Sequence, residues 1–405
     1  MISVEEAKEI VMQQQFTPKV ERINMEECLG RILAEDVLAD RAMPPFDRVT
    51  MDGIAINYLD INDGIRIWKN IKTQYAGESA ASISMKGECV EVMTGAVLPI
   101  GCDTIIRYED IEIVDNDSAE KHFKLLDVIV KQGQNIHTKG SDKAQGDVVL
   151  KRTQLIGATD IALLATIGQQ SVLVNKRINV VIITTGDELT NTKAIPSDFQ
   201  IRGSNHLMIA AALNEIQIES VKHLMRDDLS ELEEMLERCL SQFDVIVLTG
   251  AVSKGKADFI PSILNKLKVN KLFHGVAQRP AKPFWFGRKE QTVVFAMPGN
   301  PVSAAVCTYV YLLPFLSKIA GVNNVKHKVS VLEEISFKSQ LTYFMQAKVS
   351  QNFEGQLEAK PYLGNGSGDL TNLSEINAFV VLPQEDDKFI PHQLYDVYFT
   401  RNVIY

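Results

Sequence analysis

No two cysteines of this chain stand in CxxC or CxH spacing, and their number is odd, which excludes a zinc ribbon or a paired disulfide framework. Cys28, Cys89, Cys102, Cys239 and Cys307 therefore read as reduced core thiols. Basic charge is short as well: 42 Lys+Arg stand against 51 Asp+Glu, a formal net charge of -9, which disfavours a nucleic-acid role. Neither the Gly-x-x-x-x-Gly-Lys-Ser/Thr loop nor G-x-G-x-x-G occurs at a strand end, so ordinary P-loop and dinucleotide folds fail. TGAVSKG lacks the G-x-S-x-G elbow and Ser253 has no assignable base, so hydrogen-bond donation to a phosphate is expected of it rather than attack. His206, His223 and His274 show no metal-ligand spacing. The closest approach to a bilayer-spanning run, Ala304 to Leu316, is interrupted by Thr308 and Pro314. The opening MISVEEAKEI has neither a basic nor an apolar leader region, and a cytosolic protein without membrane contact is expected.

What is present is a pattern used three times. Val245 to Leu248 is a short apolar run of the kind buried on both faces of a sheet; Thr249-Gly250 ends it, and a loop with Ser253, Gly255, Lys256 and Asp258 follows. NVVIITTGDEL at 179–189 and TVVFAMPGNP at 292–301 repeat the strand and glycine turn. Three such turns along one edge of a parallel sheet form the place where open α/β folds bind ligands. The acids at predicted loop edges are Asp52, Asp142, Glu188, Asp228 and Asp258. Each has a plain structural reading, Asp228 as a helix cap and Asp258 as a first-turn acid. Together they suit a hard cation, and magnesium would bring a phosphorylated substrate with it. Arg279-Pro-Ala-Lys282-Pro is a stiffened basic loop able to pin an oxyanion, with a solvated surface turn as the alternative. Its Ala281, beside two prolines, is expected at negative φ.

At 405 residues several domains are expected. Residues 3–14 read as a helix with Ser3 and Glu6 as a capping box. Residues 1–45 and 146–177 form a discontinuous N-terminal or linking domain, with a β-rich domain inserted at 46–145. Residues 178–325 alternate strand and helix as a central α/β domain with a parallel-type sheet, and 326–405 are a terminal β-barrel-like domain.

PPFDRVTMDG, VMTGAVLPIGCDTII, TTGDEL, RGSN, LTGAVSKGKADF, RPAKPFWFG and MPGNPVSA, in this order, resemble the molybdopterin molybdenumtransferases, the MoeA and gephyrin E-domain family. The resemblance implies a homodimer that uses magnesium to convert adenylylated molybdopterin and molybdate into molybdenum cofactor and AMP. It also implies roles for residues. Asp52 of MDG, Thr94 of MTG and Asp142 lie on the inserted side; Glu188, Asp228 and Asp258 are the acidic, metal-holding positions. Gly250, Ser253, Gly255, Arg279, Lys282, Pro298, Gly299, Asn300 and Pro301 line the ligand site. An adenylyltransferase of the same pathway would resemble residues 178–321 alone, and a pterin-binding carrier or scaffold is the alternative of a different class.

Overall fold

Strands whose residues are buried on both faces organise the central domain. In the computed structural model, which describes residues 1–115, 121–250, 259–322, 325–337, 340–362 and 364–401, the six-stranded sheet runs in the order Ser220–Met225, Val180–Thr185, Val245–Thr249, Thr292–Met297, Trp285–Lys289, Asn270–His274. The first four are parallel, and Trp285–Lys289 runs antiparallel to both of its neighbours, Thr292–Met297 and Asn270–His274. Because side chains alternate across a strand, Val180, Ile182, Val245, Val247, Val293 and Phe295 face one core, and Val181, Ile183, Ile246, Leu248, Val294 and Ala296 the other. The second core is covered by the helices Leu229–Gln242 and Ile260–Lys266. The first is covered by Asn205–Glu215, by the helical run from Pro301 to Ile319, and by Val4–Met12.

Two of these helices show how local chemistry was met. Val4–Met12 begins with the expected reciprocal cap, Ser3 and Glu6, and buries Val4, Ala7 and Val11 in the α/β core. The run from Pro301 to Ile319 corrects the expected interruption. It is 19 residues with mean hydropathy 1.5, long and apolar enough by composition to cross a membrane, and 72% of it is buried inside the protein. Thr308 bonds its hydroxyl to the Ala304 carbonyl at 2.8 Å instead of breaking the helix. Pro314 is accommodated because Thr308–Leu312 widens into a π turn just before it.

The chain divides into two compact units, one of Met1–Glu21, Gly30–Ile32 and Val174–Tyr405, the other of Arg22–Leu29 and Leu33–Leu173. The first contains the α/β domain and a C-terminal barrel. Five barrel strands follow one another as Thr342–Gln351, Leu357–Pro361, His327–Val331, Leu394–Phe399 and Ala378–Leu382, and the last pairs back with the first. Gln278–Arg279 adds a short parallel strand to it, Gln278 opposite Thr342. The second unit is a mixed six-stranded sheet in the order Thr104–Arg107, Gly53–Ile56, Glu88–Val92, Ile67–Gln74, Lys121–Leu125, Ile111–Asp115. Within that unit Val148–Leu150 pairs with Val37–Leu38, so the residues after the insertion rejoin those before it.

Candidate active site

The carboxyl ends of the Val180, Val245 and Thr292 strands open into a cleft of about 1060 Å³. Its floor is built from backbone that tolerates no side chain. Gly250 has φ +102, and a Cβ there would lie 2.4 Å from the Thr185 carbonyl oxygen, so the Thr-Gly ending is demanded by the closeness of two strand ends. Thr184 and Thr249 join hydroxyls at 2.9 Å beneath it. Asn205, at the start of its helix and only 6% exposed, donates to the Gly299 carbonyl at 2.7 Å and so fixes the Pro298-Gly-Asn-Pro301 turn. Asn300 stands at the N-terminus of the long helix, but its side chain does not cap it. It donates to Ser367 Oγ at 2.9 Å, while the Val302 N–H donates to the Ser367 carbonyl.

One rim is acidic. Glu188 lines the cleft, and Gly186 makes room for its carboxylate, which lies 2.8 Å from where a Cβ would be. The second lining carboxylate is Asp227 and not Asp228. Asp228 accepts the Ser230 and Glu231 N–H groups, both at 2.9 Å, as the cap of the Leu229–Gln242 helix. Asp227 is pushed above the usual aspartate range, first by burial and then by the charges of Asp187 and Glu188.

The opposite rim is basic. Arg279 and Lys282 are exposed and line the cleft, with Pro280, Ala281 and Pro283 between and beside them. Ala281 departs from expectation: its φ is +69, in the left-handed region, and it is 3% exposed. The reason is local. The Gln278 side chain donates to the Ala281 carbonyl at 3.0 Å, and the Phe284 N–H reaches the same oxygen, closing a turn that no extended residue fits. Arg279 lies 5.6 Å from the Phe337 ring centroid, and Phe337 stacks on Tyr343 at 4.3 Å. Tyr343 and Tyr362 of the barrel, with the glycine-rich loop from Gly364 to Gly368, form the far wall.

The cleft thus gathers Glu188, Gly250, Arg279, Lys282, Pro298, Gly299, Asn300 and Pro301 from the residues expected by sequence. Ser253, Gly255 and Asp258 lie outside the described residues. Asp52, Thr94 and Asp142 belong to the other unit. There the Asp52 carboxylate accepts the Thr94 N–H at 2.6 Å and its hydroxyl at 2.7 Å, bonds that hold it below the usual range, the backbone bond most strongly. Arg48 approaches His137 Nδ1 at 3.2 Å; a guanidinium can only donate, so Nδ1 accepts and Nε2–H donates to Asp142 at 2.8 Å. Sequence reasoning missed Asp227, Asn205, Gln278 and Ser367 as site residues. A signal for Asp227 was present: with Glu231 marking Asp228 as the cap, the acid before it was left without a structural task.

Comparison with known proteins first defines a class. Residues 181–318 match a family described as a probable molybdopterin binding domain, and these are the residues of the α/β sheet and the cleft floor. Residues 2–168 match the MoeA N-terminal region (domain I and II), and 328–391 the MoeA C-terminal region (domain IV). A Synechocystis protein named molybdopterin molybdenumtransferase is 32% identical over 403 residues, covering 98% of this chain and 100% of the relative. A Staphylococcus aureus protein of the same name is 30% identical, covering 99% and 96%. The crystal structure of a molybdopterin biosynthesis MoeA protein from Pyrococcus horikoshii superposes with a TM-score of 0.80 at 27% identity, over 98% of this chain and all of that one. The chain belongs to the MoeA family of molybdopterin molybdenumtransferases.

Proposed function

We propose that this protein transfers molybdenum from molybdate to adenylylated molybdopterin with release of AMP, as a magnesium-dependent step of molybdenum cofactor biosynthesis. The observation that carries the proposal is one cleft presenting an acidic and a basic rim to the same space, in a chain whose full-length relatives bear the transferase name. Arg279 and Lys282 offer basic side chains suited to a doubly charged oxyanion. Tyr343 and Tyr362 offer flat surface to a fused-ring substrate.

The acidic rim fits a hard cation, since its donors are oxygens and the burial and neighbouring charges that push Asp227 up are what a divalent ion relieves. Glu188 and Asp227 would hold magnesium, joined by Asp258, with Asp228 engaged as a cap. Magnesium binds through few carboxylates together with substrate phosphates, so phosphate oxygens of the substrate are expected to complete the coordination. A magnesium ion held there would supply charge neutralisation at the phosphoryl group that is cleaved.

A homodimer, in which Asp52, Thr94 and Asp142 of a second copy serve the reaction, is part of the same proposal and rests on the family resemblance. A cytoplasmic location rests on five cysteines that are all buried. The deciding measurement is AMP release from adenylylated molybdopterin by the purified protein, with and without molybdate. Release that ignores molybdate indicates hydrolysis, and pterin binding without release indicates a carrier. A monomeric mass at micromolar concentration would remove the dimer.

A further inference from the structure

We propose that Tyr311 and Gln278 are positioning residues for Lys282, acting from inside the core on the backbone that presents it to the cleft. The inference rests on the reading of the basic loop as an anion site. Tyr311 lies in the π turn Thr308–Leu312, in the middle of the long buried helix, and is 1% exposed. A π turn inserts one residue and changes the direction of later side chains by about 100°. Here the Tyr311 hydroxyl donates to Gln278 Oε1, and Gln278 is fully buried. Gln278 Nε2 donates in turn to the carbonyl of Ala281, the residue held at φ +69 immediately before Lys282.

Two polar side chains in an apolar core are costly unless each satisfies the other. Simple satisfaction would be served equally by a contact that ends in the core. This one ends on the carbonyl of Ala281, the residue of the Arg279–Pro283 loop held in a conformation that L-residues avoid. Burial of Tyr311 pushes its phenol well above the ordinary range, so the hydroxyl keeps its proton and remains a donor throughout the working pH range. Gln278 is also the residue that pairs with Thr342 of the barrel, so its backbone is anchored while its side chain reaches the turn. The arrangement holds the loop before any ligand arrives, and the exposed cation at its tip inherits that order.

Molybdate alone is the probe, titrated by calorimetry at fixed ionic strength alongside thermal unfolding. Tyr311→Phe is expected to weaken molybdate binding about three- to tenfold while the protein stays folded. Gln278→Met is expected to reproduce the loss, and it carries the test if the tyrosine variant does not fold. In the Ala281→Gly background the effect of Tyr311→Phe is expected to shrink to less than twofold, because glycine adopts positive φ without help. An unchanged affinity in Tyr311→Phe, or an equal loss with and without Ala281→Gly, overturns the proposal. Lys282→Ala separates the two levels of argument. If it leaves molybdate binding intact, the anion site fails; positioning is then judged by hydrogen exchange of the amides at 279, 281 and 282, which must accelerate in Tyr311→Phe.

Discussion

On one rim of the cleft Glu188 and Asp227 crowd negative charge at strand ends, with Asp187 beside them, its carboxylate accepting the Asp227 N–H at 3.2 Å. On the other, Arg279 and Lys282 ride on a turn held by a buried glutamine, a left-handed alanine and a strand paired to the barrel. The acidic rim stores unfavourable electrostatics, visible in the raised Asp227, which a cation from solution would relieve on the proposed function. The basic rim stores conformational strain instead, since an L-residue in the left-handed region costs about 1–2 kcal/mol. The two rims thus differ in kind: one crowds like charges, and the other fixes the backbone that carries its charges.

The largest effect that would break this contrast is on binding. Lys282→Ala should weaken molybdate affinity by about 1.5–3 kcal/mol, the worth of a charge-assisted hydrogen bond, with little change in melting temperature. Normal binding would make the basic rim a mere surface turn. Next comes Asp227→Asn, which should raise stability by up to ~1 kcal/mol while abolishing magnesium-dependent turnover. The sign follows from the raised carboxyl: its folded pKa lies above the unfolded one, so the native state is favoured below the unfolded value and that advantage is lost as pH rises through the folded value. The gain over wild type should therefore be full at neutral pH and vanish below about pH 4. Unfolding curves across that range decide it, and a destabilised variant would show that the rim is not strained.

Ala281→Gly should change stability by less than ~0.5 kcal/mol, because relief of about 1 kcal/mol of backbone strain offsets loss of a methyl worth roughly 0.8 kcal/mol. A loss well beyond that would mean that the alanine pays no conformational cost. The smallest effect concerns the other unit. Thr94→Val removes one of two bonds to Asp52, so the carboxyl should rise towards the ordinary range yet stay below it, as the stronger backbone bond remains. Stability tied to Asp52 is present above its unfolded pKa and lost as pH falls through the folded one, and that loss should move to higher pH in the variant. Carboxyl titration by NMR reads the shift directly.

The three strand-turn units were legible in sequence because a parallel sheet buried on both faces reads as unbroken apolar runs, Val180–Thr185 and Thr292–Met297 being clear cases. Ser3 with Glu6 and Asp228 with Glu231 were legible because caps are local. Three features were not. The conformation of Ala281 depends on Gln278, whose own place depends on a strand in the barrel far along the chain. The continuity of the Pro301–Ile319 helix depends on a π turn that leaves no compositional mark. The first helix joins the α/β core through contacts of Val4, Ala7 and Val11 with strands made much later, so adjacency in sequence misdirects its assignment.

The two-residue strand Gln278–Arg279 carries a consequence for how the molecule comes into being. During synthesis the α/β strands are complete once Met297 has emerged, and they can pair among themselves. Gln278 and Arg279 must wait for Thr342 and Tyr343, and the barrel containing those residues cannot close until Ala378–Leu382 and Leu394–Phe399 have been made. The basic loop is therefore among the last parts of this unit to reach its final form. The residues of the sheet and of the acidic rim are thus all made before those that complete the strand pairing of the basic loop, and before Phe344, Ile376, Phe379 and Val381, which finish one face of the core.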